Sequence, residues 1–68
     1  MDSALFRMLD ARVRACEERC ERQKASITDL RRQRRDTALA EKLLANIEAT
    51  LLKWKEHREQ LRRDGALR

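Results

Sequence analysis

Cys16 and Cys20 stand four residues apart. On a helix that spacing places two thiols on one face, a turn from each other. Together with His57, the only histidine, they could supply three ligands of a tetrahedral zinc site, with Glu17 or Glu56 as a fourth. C-x3-C alone is a weak signal. Both cysteines also fall on an apolar stripe, where a free thiol behaves as a small hydrophobe. The expectation is therefore no metal and no cofactor, with Cys16, Cys20 and His57 the weak candidate set. Catalysis by His57 would need a nucleophile or carboxylate arranged around it. Ser3, Ser26, Thr28 and Thr50 lie in no Gly-rich or elbow-like setting. The chain reads as non-enzymatic.

A second constellation is "RRQRR", residues 31–35, which sets Arg31, Arg32, Arg34 and Arg35 side by side. Such a cluster can contact phosphates through a sequence-independent, salt-sensitive attraction. No aromatic residues interleave for base stacking, and no helix-turn-helix spacing is present. The net charge is +5. Residues 1–35 hold 10 basic and 6 acidic groups, whereas residues 36–68 hold 7 and 6. The excess thus lies in the first half, largely at its end. Cations complement the dipole at a helix C-terminus, so the cluster has a structural role available as well. A small nucleic-acid-binding regulator is the alternative functional reading it leaves open.

These groups need elements to carry them, and composition favours helices. Ala, Glu, Lys, Leu and Arg dominate, with no Pro and one Gly. Phe6, Leu9, Val13, Cys16, Cys20, Gln23, Ile27 and Leu30 recur at alternating three- and four-residue steps, an unbroken heptad seam. Ala40, Leu44, Ile47, Leu51, Trp54, Arg58 and Leu61 form a second, which Leu43 widens. Asp10–Arg14, Glu18–Arg22 and Glu59–Arg63 offer i,i+4 support.

Between the runs the register breaks. Continuing the first seam would put Arg34 and Glu41 at core positions. Asp36 or Thr37 can cap a new helix start, and Gly65 suits a C-terminal stop. The expected fold is all-α: an antiparallel two-helix hairpin, with helix 1 over about residues 3–33, a corner at 34–36 and helix 2 over about 37–63. Arg34 is the awkward residue, since such corners favour Gly. Folding back near residue 35 sets Leu9 beside Leu61, Ile27 beside Leu44 and Ile47, and Cys20 beside Leu51 and Trp54. It also brings Cys16 towards Trp54, His57 and Arg58. Arg58 and His57 would cover the edge of the indole.

The corner and the helix after it resemble a group of small uncharacterised bacterial proteins, found among alphaproteobacteria. The matching residues are Asp36-Thr37, Ala40, Leu43-Leu44, Leu51, His57-Arg58 and Leu61, within a stretch of about residues 20–64. The group's corner Gly is replaced here by Arg34. The resemblance implies a helical hairpin and no known activity. In architecture alone the chain is similar to the Rop-type plasmid RNA-binding hairpin, which dimerises into a four-helix bundle.

Sixty-eight residues allow one small domain. Leu, Ile, Val and Phe number 14, few for a self-sufficient core. Chains of this size usually need a disulfide, a metal or self-association. Self-association is expected here, two hairpins pairing into a four-helix bundle as a homodimer. "MDSALFRML" lacks the basic and long apolar regions of a signal peptide, and no apolar run reaches membrane-spanning length. The chain reads as cytoplasmic, with reduced cysteines. "LFRMLDARVRA" could lie on a membrane surface, but its seam residues are shared with the core, and Asp2 and Asp10 oppose anionic lipid. The leading functional expectation is a self-associating protein–protein interaction module. Leu39 and Leu52, off the seam, are candidates for contacts between hairpins.

Overall fold

A computed structural model describes residues 3–65 of the chain. It contains two helices, α1 (Ser3–Arg32) and α2 (Ala38–Arg63), and no strand among the described residues. They pack along each other as a hairpin rod of 52 × 14 × 11 Å. Neither helix is long and apolar enough to cross a membrane.

The connection is residues 33–37, and backbone hydrogen bonds account for its shape. Arg34 adopts φ 55°, the left-handed region. The Arg35 N–H donates to the Leu30 carbonyl at 2.9 Å, and the Arg34 N–H to the Arg31 carbonyl at 3.0 Å. These are the paired bonds of a Schellman turn, which satisfies carbonyls left open at the end of a helix. A side chain at φ > 0 crowds the following carbonyl, so the awkwardness of Arg34 is real and is held by those two bonds. At the start of α2, Thr37 occupies the N-cap position but makes no side-chain cap bond. Asp36 does the capping: its Oδ1 accepts the Ala38 N–H at 2.9 Å. The Thr37 hydroxyl instead donates to Glu41 at 3.1 Å.

The seams meet and bury Leu9, Val13, Cys16, Cys20, Ile27 and Ile47. Phe6, Leu30, Leu44, Leu51, Trp54 and Leu61 are half-buried. Leu43 is 46% exposed, because it flanks the seam rather than sitting in it. Two helices give a single layer of contact, so the half-buried seam residues keep part of their surface uncovered. Gln23, the polar member of the first seam, donates through Nε2 to the Ala40 carbonyl at 2.9 Å. That bond satisfies a part-buried amide and ties the two helices in one register. Leu9 and Leu61 line one groove, and Ile27 and Leu44 another. Cys16 lies with Ile47 and Thr50, while Trp54 lies with Leu9 nearer the open end.

Candidate functional site

The two long sides of the hairpin differ in chemistry. With the seams taken as heptad positions a and d, the residues at e meet across one side. Arg31 there pairs with Glu41 at 2.9 Å, and Lys55 with Glu17 at 3.7 Å. Arg58 donates through Nη1 to Asp10 at 2.7 Å, and Asp10 also takes Arg14 at 3.1 Å. The Arg62 guanidinium lies over the Phe6 ring at 5.8 Å. This side is bridged by opposite charges, with one groove, lined by Ile27, Thr28 and Leu44, beside the Arg31–Glu41 pair. Most of these pairs are exposed and contribute little stability each. Asp10–Arg58 stands apart, with both side chains only about a quarter exposed.

The other side carries positions g and c, and it is open. Four grooves overlap along it. The one at the corner shares Leu43 and Asn46 with the next. That one shares Thr50 with a third, which shares Trp54 and His57 with the groove at the open end. Together they form a row of linked grooves along this flank, the furrow, whose third member is lined by α2 residues alone. Its ends are apolar. Leu39 and Leu43 are 81% and 46% exposed at the corner end; Leu5 and Met8 are 42% and 47% exposed at the other. Its middle carries Arg19, Thr50 and Lys53. Single exposed leucines are common; here the exposed apolar side chains gather at the two ends of one furrow.

The residues considered for chemistry are dispersed over this frame. Cys16 and Cys20 are free thiols buried in the seam, whereas His57 is exposed on the furrow. Among the described residues, no group of three or more His, Cys, Asp or Glu is placed to hold a metal ion. His57 meets Trp54 edge-on, ring centroids 5.9 Å apart and planes at 78°. The cation over the indole is Arg12, at 4.9 Å from the ring centroid. It is not Arg58, which turns to Asp10 on the opposite side. The arginine cluster is divided as well. Arg31 is held by Glu41, and Arg32 lies 3.9 Å from Asp29. Arg34 and Arg35 pair with no carboxylate among the described residues. The i,i+4 pair at Asp10 forms, but Glu59 engages Arg62, three residues on, at 3.8 Å.

Leu5 and Met8 escape a reading confined to the seam, because they flank it at g and c. A signal exists nevertheless. The g and c positions of both helices collect Leu5, Met8, Leu39 and Leu43, while the e positions collect Asp10, Glu17, Arg31, Glu41, Lys55 and Arg62.

The fold and surface define the chain as an all-α hairpin with one open flank. No family model, curated protein or solved structure matches it, so its function is argued from its own residues.

Proposed function

We propose that the chain is a non-enzymatic protein–protein interaction module that works through the furrow. The observation that carries this reading is the asymmetry of its flanks, one bridged by charge pairs and the other lined by linked grooves with exposed leucines at both ends. The thin core supports it. Among the described residues, only Val13 is a fully buried side chain of any size, and a chain this short gains stability when a partner covers its remaining apolar surface.

On its own the module self-associates. Two hairpins laid antiparallel, furrow to furrow, set Leu39 and Leu43 of one against Leu5 and Met8 of the other. The result is a homodimeric four-helix bundle in which each copy covers both apolar ends of its partner. The setting is a reducing cytoplasm in which Cys16 and Cys20 stay thiols.

Sedimentation equilibrium across a concentration series tests this reading. The parent chain should pass from monomer to dimer, and the Leu39→Ser, Leu43→Ser double variant should remain monomeric while still helical. A double variant that associates as strongly as the parent would remove the furrow from the proposal.

A further inference from the structure

The charge of the furrow points to its partner's chemistry, an inference that rests on the interaction-module reading above. Arg19, Lys42 and Lys53 line the furrow, and Arg12 lies over its Trp54. None of these four cations is paired with a carboxylate among the described residues. Asp36 is the one acidic residue lining the furrow, at the corner end, and its Oδ1 is engaged by the Ala38 N–H. The opposite side does the reverse, matching Arg31, Lys55 and Arg58 with carboxylates. The protein neutralises its cations on one flank and leaves them unmatched on the other.

A second copy covers the leucines but leaves the cations unanswered. Arg19 and Lys53 lie near the middle of α1 and α2. A two-fold axis between antiparallel copies passes through that middle and sets these cations against their own equivalents. Like charges juxtaposed in an interface oppose association. Nucleic acid would answer the cations but not the leucines, since phosphates gain nothing from an apolar wall. The single Trp54 ring, covered by Arg12 and met edge-on by His57, is no stacking platform.

We infer that the furrow accepts an acidic amphipathic helix of another protein. Apolar residues at i, i+3, i+4 and i+7 of that helix seat between Leu39, Leu43, Leu5 and Met8, the helix-in-groove mode of recognition. Flanking Glu or Asp meets Arg12, Arg19, Lys42 and Lys53. The homodimer is then the resting form, and the acidic helix displaces the second copy.

The test uses synthetic helices about 21 residues long, roughly 32 Å. Each has leucines at three- and four-residue steps, flanked in one peptide by Glu, in a second by Gln and in a third by Lys. Binding to the full chain is followed by the fluorescence of Trp54, its only tryptophan, and by the anisotropy of a labelled peptide. The Glu peptide should bind at least about tenfold tighter than the Gln peptide and convert dimer to a one-to-one complex, the advantage shrinking as salt rises. The Lys peptide should not bind. Arg19→Glu with Lys53→Glu, both at exposed positions, should abolish the preference for Glu while the circular dichroism stays helical. Equal affinity for the Glu and Gln peptides would overturn the acidic partner and leave the interaction module standing. So would a single-stranded RNA oligomer that displaces the Glu peptide at lower concentration. Undiminished binding of the Glu peptide by the Leu39→Ser, Leu43→Ser variant would instead remove the furrow reading itself.

Discussion

Arg34 and Gly65 hold the same place at the ends of the two helices, one residue beyond the cap in the left-handed conformation, with φ 55° and 77°. Each donates its N–H back to a carbonyl three residues earlier, Arg34 to Arg31 at 3.0 Å and Gly65 to Arg62 at 3.2 Å. One helix ends with the residue that adopts this conformation freely, the other with one that resists it.

Arg34→Gly should therefore stabilise the hairpin. Relief of the left-handed penalty, about 1–2 kcal/mol, is partly offset by the greater freedom of Gly in the unfolded chain, about 0.4–1 kcal/mol. A net gain of about 0.5–1 kcal/mol should raise the urea midpoint at unchanged slope. Parent and variant must be compared at equal protein concentration, since association adds to apparent stability. An unchanged or lower midpoint would contradict the strain assigned to Arg34.

Asp10→Asn should cost more than Glu17→Gln. Asp10 and Arg58 are each about a quarter exposed, whereas Lys55 and Glu17 are close to half exposed. The Arg58 Nε is buried without a hydrogen-bond partner, so Asp10 provides the neutralisation this guanidinium has. Its removal should cost about 1–3 kcal/mol, against about 0–1 kcal/mol for the exposed pair. Denaturation of the two variants side by side decides the order, and equal losses would refute it.

Truncation should separate the seam from its flanks. Ile47→Ala removes a side chain buried to 8% exposure and should lower stability by about 2–4 kcal/mol. Leu52→Ala, at 58% exposure and away from the furrow, should stay within about 0.5 kcal/mol of the parent. If Leu52→Ala proves as costly as Ile47→Ala, Leu52 is covered by a neighbour in solution and is no free surface residue.

The two thiols should be protected by the fold. Cys16 and Cys20 are 8% and 4% exposed. Alkylation in buffer should run at least about tenfold slower than in denaturing urea, because reagent reaches them through opening. Native and unfolded chains reacting at one rate would mean that the seam does not close over α1.

Much of this was legible in the chain itself. The three- and four-residue steps from Phe6 to Leu30 and from Ala40 to Leu61 specify apolar stripes that only helices can align. The break at residues 31–37, with its cations before and its Asp-Thr after, marks one helix ending and another starting. Arg34 was identifiable as the residue under conformational strain. The partner of the Trp54 ring was less legible, because Arg12 reaches it from the other helix and sequence proximity favoured Arg58.

What the amino-acid order determined is thus local: periodicity, caps, and which residues share a face of one helix. What only the tertiary structure decided is how the flanks of two helices combine. Packed antiparallel, g meets g and e meets e, so Glu17 finds Lys55 and Glu41 finds Arg31, while Asp10 at e reaches Arg58 in the facing seam. The leucines at g and c are left along one groove. A parallel pair would have mixed e with g and spread charge and leucine over both sides. The physical reason is register. A short turn held by Asp36, Arg34 and the Gln23–Ala40 bond fixes how far α2 slides along α1. At that offset opposite charges meet on one flank while the cations of the other stay unmatched.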